Sequence, residues 1–170
     1  MAMPDETRGS YTLSTDKARL DVVAVHAALS RHAYWAQGRT LEVVQRSIDH
    51  SLCFGIYEGD GLVAFARVVT DYATFAWLCD VFVLQGHRGR GLGKWLVEAA
   101  VAHPDLCSLM LFVLATRDAH GLYCRYGGFV PLPAPEKWMV RRQAPPSGTQ
   151  RPEGQPTGRP DPLPARLPRA

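Results

Sequence analysis

The chain has 170 residues, of which 46% are hydrophobic and 21% charged, and its formal net charge is +3. This length suits one domain with an appendage. Most of the excess positive charge lies from Gln143 onward, so the rest of the chain is nearly neutral and offers no electrostatic case for binding nucleic acid. No signal peptide and no membrane-spanning apolar run is present, which predicts a cytoplasmic protein that does not bind a membrane.

The four cysteines give no sign of a metal or disulfide framework. They are Cys53, Cys79, Cys107 and Cys124, and no two of them form a C-x-x-C pair. All four lie in apolar runs, so we expect buried free thiols of a reducing compartment.

Hydrophobic periodicity predicts elements in the order β-α-α-β-β-β-α-β-α-β, in which the last position is a closing pair of strands. They are a strand over 10–14, a helix after Thr15 or Asp16, a helix from Thr40, strands over 52–58, 62–70 and 74–84, a helix over 91–103, a strand over 106–115, a short helix over 118–126 and closing strands over 129–132 and 138–141. Residues before Ser10 have the composition of a loose leader.

The segment 143–170 is rich in Pro, Gly, Arg and Gln and has almost no large apolar residues. Such a composition cannot bury enough surface to offset the entropy lost on ordering, which predicts disorder. We therefore expect a folded domain over 1–142 and a disordered tail over 143–170. A proline-rich docking segment is the alternative interpretation of the tail.

The stretch 80–94 reads DVFVLQGHRGRGLGK and combines a short strand, a glycine-rich basic loop and the start of a helix. Backbone N–H groups at a helix N-terminus lack internal partners, so this junction is suited to bind a phosphate. A P-loop does not fit, because Trp95 stands where Ser or Thr is required. A dinucleotide fingerprint does not fit either, because Lys94 stands where the third glycine would be.

Two motifs resemble the GCN5-related N-acetyltransferase (GNAT) family. The first, [QR]-x-x-G-x-[GA], is met by Arg88, Gly91 and Gly93 and resembles the family's acyl-CoA loop. The second, 119–129, reads AHGLYCRYGGF and is similar to the family's A-x-x-L-Y-x-[KR]-x-G-F segment. The chain departs from the family pattern at Thr116, where many members have Asn, and by one extra glycine before Phe129.

The resemblance covers roughly 11–141 and implies an α/β fold of GNAT type, with a mixed, mostly antiparallel sheet and helices on both faces. It implies acetyl transfer from acetyl-CoA, without a metal, to a primary amine of a small molecule or peptide. The alternative is a non-catalytic module of this fold that binds CoA or a partner. The sequence names no acceptor and leaves a homodimer open.

The resemblance also implies site residues. The expected acetyl-CoA contacts are Phe82, Val83, Arg88, Gly89, Arg90, Gly91, Leu92, Gly93, Lys94 and Thr116. Tyr123 matches the family tyrosine that often gives the leaving thiolate a proton or a hydrogen bond, and the surrounding block favours this role over the alternative of a core aromatic. Asp80, an acid within an apolar strand, is the candidate general base, or it orders a neighbouring loop.

Several further residues have a functional and a structural interpretation. Asp71 would bind a cationic substrate or be a solvated turn residue, and Arg67 would meet a substrate carboxylate or form a salt bridge. His87 and His120 would approach CoA or be solvated. Tyr34 and Trp35 would cover the acceptor pocket or pack in the core. The sequence leaves these alternatives open.

Overall fold

The computed structural model describes residues 3–32, 36 and 38–141. Its strands and helices follow in chain order, with short 3-10 turns between some of them. They are β1 (Glu6–Arg8), β2 (Tyr11–Ser14), α1 (Val22–His32), α2 (Leu41–Asp49), β3 (Leu52–Glu58), β4 (Gly61–Thr70), β5 (Phe75–Val83), α3 (Leu92–Val101), β6 (Leu111–Leu114) and α4 (His120–Gly127). The predicted tail over 143–170 lies outside the described residues.

The six strands form one sheet in the order β1 to β6. Neighbours are antiparallel as far as β5, and β6 then lies parallel to β5, with Phe75 opposite Leu111 and Leu78 opposite Leu114. Parallel neighbours need a long crossover, and α3 supplies it between β5 and β6. The predicted mixed, mostly antiparallel sheet is confirmed.

Helices cover both faces of the sheet, as the sequence predicts. On one face α3 buries Leu92, Trp95, Leu96, Ala99 and Ala100 against inward-facing side chains of the strands. On the other face α1 and α2 bury Val25, Leu29, Val44 and Ile48 against Cys53, Phe65 and Phe82. Because β5 contributes side chains to both cores, it is packed from both sides.

Three predictions about individual segments of the chain are wrong. The expected leader contains β1. Trp95 anchors this strand, because its Nε1 donates to the Glu6 carboxylate at 3.1 Å and the Arg8 guanidinium lies 4.5 Å from the centre of the Trp95 ring. These tertiary contacts leave no periodic signal in such a polar segment. The strand expected over 106–115 begins only at Leu111, because a 3-10 turn at Pro104–Leu106 and an exposed stretch precede it.

The closing strands expected over 129–132 and 138–141 are not formed; this segment contains only the 3-10 turn Pro135–Lys137. Pro131, Pro133 and Pro135 remove three backbone donors within five residues, so a strand ladder cannot be continuous here.

The cysteines are free, but only some of them are buried. Cys53 is buried and Cys79 partly so, whereas Cys107 and Cys124 are exposed, which corrects the expectation that all four lie inside. Cys107 follows a surface turn and Cys124 lies on the outer face of α4. None of the helices described over 3–32 and 38–141 is both long and apolar enough to cross a bilayer.

Candidate active site

The site begins where β5 and β6 separate. The parallel pairing ends at Leu78 and Leu114, while β5 stays paired with β4 as far as Val83. Residues 79–83 therefore have a strand on one side and an open cleft of about 1050 Å³ on the other. The other walls of the cleft are formed by the glycine loop, by residues 115–119 and by α4.

A β-bulge at Asp80 shapes the wall of the cleft. Phe65 pairs with Phe82, and Arg67 pairs with Cys79. The one residue of β4 between Phe65 and Arg67 therefore lies opposite the two residues of β5 between Cys79 and Phe82. Asp80 is one of these two and has φ +53°, a left-handed conformation that costs energy for a residue with a side chain. Bulges of this kind often occur beside active sites, where they redirect a strand.

The glycine loop ends at the first turn of α3. Gly89 and Gly91 have φ of +77° and +80°, and a Cβ at either position would meet no atom within 4 Å. Among the described residues no side chain caps α3, and its first internal hydrogen bond runs from Trp95 N to Gly91 O at 3.0 Å. The amides before Trp95 are therefore available to a phosphate group.

Of the three basic residues in the glycine loop and the first turn of α3, two line the cleft and one does not. Arg88 lies in the cleft wall and donates from Nε to the Val83 carbonyl at 3.1 Å. Lys94 also lines the cleft, with Nζ 3.7 Å from Glu98 and 4.9 Å from the Tyr126 ring. Arg90 lies outside the lining and donates from Nη1 to the Tyr11 hydroxyl at 2.9 Å.

Tyr123 of α4 lines the same cleft as the residues of β5. Its ring packs edge-on against Phe129, with centroids 6.2 Å apart, and burial raises the pKa of its hydroxyl. The hydroxyl therefore remains protonated at neutral pH and can act as a hydrogen-bond donor or an acid.

Asp80 also lines the cleft, but its carboxylate is 99% buried and bound by two arginines. Arg39 donates from Nη1 to both carboxylate oxygens at 2.9 Å. Arg67 donates from Nε to Oδ2 at 2.9 Å, and from Nη1 to the Ser51 hydroxyl at 2.9 Å. The acid is therefore the centre of a buried ionic cluster.

Comparison with known proteins identifies the family. Residues 20–129 match the model of the acetyltransferase (GNAT) family. A Gibberella zeae protein named as an acetyltransferase is 35% identical over 137 residues, which span 67% of this chain and 76% of that protein.

The chain belongs to the GNAT acetyltransferase family. A solved Xanthomonas campestris structure, described as a GNAT-family acetyltransferase, is 52% identical, covers 81% of this chain and 96% of its own, and has a TM-score of 0.77. A Clostridium acetobutylicum acetyltransferase solved with acetyl-CoA shares the fold alone, at 12% identity over 78% and 94% of the chains and a TM-score of 0.58.

As a GNAT protein, the chain is an acetyl-CoA-dependent acetyltransferase, and the family acts on small-molecule or peptide acceptors. The cleft suits this donor, because the open glycine loop and uncapped helix end provide amides for its phosphates. Of the expected contact residues, those that line the cleft are Phe82, Val83, Arg88, Gly89, Gly91, Leu92, Gly93, Lys94 and Thr116. Over 3–32, 36 and 38–141 no group of three or more His, Cys, Asp and Glu is placed to hold a metal ion.

The structure gives the remaining candidates of this acetyltransferase different surroundings. Arg67 forms the salt bridge with Asp80. Asp71 orders its own turn by accepting from the Thr74 hydroxyl and from the backbone amides of Ala73, Thr74 and Phe75, and these hydrogen bonds lower the pKa of its carboxyl group. His120 is exposed outside the cleft, whereas His87 lines it. Tyr34 and Trp35 lie outside the described residues.

Two cleft residues of the acetyltransferase were missed by the sequence analysis. Arg39 belongs to no motif, and only the need of a buried mid-strand acid for a partner could have pointed to a cation elsewhere. Cys79 lines the cleft beside Asp80, and burial raises the pKa of its thiol to about 12. A thiol nucleophile needs the opposite shift, so Cys79 is poorly suited to become acylated.

Proposed function

We propose that this acetyltransferase transfers the acetyl group of acetyl-CoA to a primary amine of a small molecule or peptide by direct attack. The observation that supports this most is the continuity of the cleft. It joins the glycine loop, suited to the phosphates, to the separated edge of β5 and to the Tyr123 side chain. The donor would thus lie with its phosphates at Gly89 and Gly91 and its thioester near the bulge.

The chain's groups suit a single-step transfer. Acetyl-CoA supplies the activated acetyl group as a thioester. A neutral amine attacks the carbonyl carbon, the new C–N bond replaces the C–S bond, and the amine loses one proton while sulfur gains one. The neutral thiol of Cys79 argues against a separate acyl-enzyme. Tyr123, whose pKa is raised, is the group we assign to protonate or hydrogen-bond the leaving sulfur.

The general base role of Asp80 stays a prediction. Each of its carboxylate oxygens already accepts a hydrogen bond from a guanidinium, so a substrate ammonium group would have to displace Arg39 or Arg67. We therefore propose that Asp80 first of all positions Arg39, and that water in the open cleft accepts the amine proton.

The rival function is a module that binds CoA without catalysis. The two are separated by measuring release of the CoA thiol with a panel of primary amines. The proposed function predicts release that depends on the amine and saturates with both substrates. Tight binding of acetyl-CoA, with no amine-dependent release across small amines and peptides, would favour the non-catalytic module.

A further inference from the structure

We infer that the acceptor amine carries a carboxylate, and that Arg39 binds this carboxylate at the end of the cleft away from the glycine loop. The inference rests on the proposed function and adds the substrate class to it. Arg39 directly precedes the Thr40 cap of α2 and lines the same wall as Asp80.

The ionic cluster at the bulge has one positive charge more than it can neutralise internally. Two guanidinium groups, of Arg39 and Arg67, share the single carboxylate of Asp80. A net charge of +1 in a partly desolvated site is costly unless an anion balances it. A monoanion in the cleft would supply this balance.

The two arginines differ in how many of their guanidinium nitrogens remain available to a ligand. Arg67 is 11% exposed and uses Nε, Nη1 and Nη2 on Asp80 and Ser51. Arg39 is 30% exposed and reaches Asp80 with Nη1 alone. Within the described part of the chain, Nε and Nη2 of Arg39 make no hydrogen bond, and this edge is the planar fork that matches a carboxylate.

The backbone of Arg39 is fixed in place. Nε2 of His26 donates to the Arg39 carbonyl at 2.9 Å, and the Arg39 amide donates to Ala36 O at 3.3 Å. Asp80 thus holds the guanidinium of Arg39, and His26 of α1 holds its backbone. A preorganised guanidinium binds an anion with little further loss of entropy.

The other charged residues of the cleft are assigned elsewhere. Arg88 and Lys94 lie at the glycine loop, where the donor's phosphates are proposed to bind. Arg117 and Asp118 follow β6 and are paired at 3.6 Å. A carboxylate fits the net charge of +1 better than a phosphate dianion, which would need additional donors.

The test compares amino acids with their carboxamides in CoA release at saturating acetyl-CoA. Amidation keeps the amine and side chain in place and removes the negative charge of the carboxylate. A charge-assisted hydrogen-bonded pair corresponds to about ten- to hundredfold in kcat/KM, so we expect the free acids to be preferred by that factor. Since amidation also lowers the amine's basicity and increases its neutral form, a preference for the acids would not arise from chemistry alone.

Variants assign the preference to Arg39. In Arg39→Gln the preference for free acids should disappear, with acetyl-CoA affinity unchanged. In Arg39→Lys the preference should be partly kept. The control Arg46→Gln, on the exposed face of α2, should behave as the wild type. Equal turnover of acids and amides by the wild type would overturn the inference, as would an undiminished preference in Arg39→Gln. Better turnover of phosphoethanolamine than of any amino acid would replace the carboxylate by a phosphate.

A binding measurement separates this inference from the proposed function. The melting temperature of the CoA-bound protein is measured with N-acetyl amino acids and with their carboxamides, which requires no turnover. A larger shift with the acids that Arg39→Gln abolishes supports the site even if no amine is acetylated, in which case the proposed function fails alone. Equal shifts with acids and amides overturn the carboxylate site, whatever the outcome for catalysis.

Discussion

Replacing Asp80 with Asn tests whether the ionic cluster holds the wall of the cleft. Asn tolerates positive φ and is isosteric with Asp, so the bulge at φ +53° should persist while the negative charge is lost. Arg67, 11% exposed, is then left without a counter-charge, whereas Arg39 can turn towards solvent. Breaking a buried pair costs about 3–5 kcal/mol, and the exposure of Arg39 favours about 3 kcal/mol.

For a domain of this size, about 1 kcal/mol shifts the melting temperature by about 2–4 °C, so Asp80→Asn should melt roughly 6–12 °C lower. The matched control is Glu42→Gln, which removes the same charge from an exposed pair with Arg46 at 2.8 Å. That pair should contribute at most about 0.5 kcal/mol. Thermal unfolding followed by circular dichroism measures both variants. If Asp80→Asn melts within about 2 °C of Glu42→Gln, the cluster does not stabilise the wall.

The kinetics of the same variant separate the two roles of Asp80. A positioning role predicts a higher KM for the acceptor with a smaller change in kcat, because Arg39 loses its support. A general base predicts a loss of about 10²–10⁴ in kcat and the disappearance of the acidic limb of the pH–rate profile. Normal kinetics for the acceptor would contradict both roles.

Other predictions concern separate parts of the molecule. Gly91→Val places a β-branched residue at φ +80° and should abolish stabilisation by acetyl-CoA in a thermal shift, whereas Gly86→Val, which has free space and is outside the helix start, should keep it. Tyr123→Phe should lower turnover about ten- to ten-thousandfold with acetyl-CoA affinity unchanged, and normal turnover would leave only a packing role. His103 is 99% buried and burial lowers its pKa, so stability should fall as the pH drops below about 6.5, by at most about 1.4 kcal/mol per pH unit, and His103→Gln should flatten that slope. Deletion of 143–170, whose composition contributes no core, should leave the melting temperature unchanged.

The parts of the site that are local in sequence were predictable. The glycine loop and the start of α3 lie within about ten residues, where turn chemistry and helix periodicity act directly. The segment of α4 around Tyr123 was found differently, through the resemblance of a short block of residues to the family. For these elements the order along the chain already determines which groups come together.

Contacts between distant segments were not predictable. Arg39 and Asp80 are 41 positions apart, and only the packing of the α1–α2 junction against β5 brings them together. Likewise β1 depends on Trp95 of α3, 89 positions from Glu6. The segment after Phe129 shows the reverse case, in which an apolar pattern suggested strands and the prolines prevented them.

The most direct test of the central claim is to follow the acetyl group itself. The protein is incubated with each member of a panel of amino acids, other small primary amines and peptides, together with acetyl-CoA labelled with carbon-13 at the acetyl carbonyl, and the label is observed by NMR. The proposed function predicts conversion of the thioester signal into an amide signal on the acceptor, at a rate reduced in Tyr123→Phe. Label that stays in the thioester, or passes only to acetate across the whole panel of amines, would contradict it.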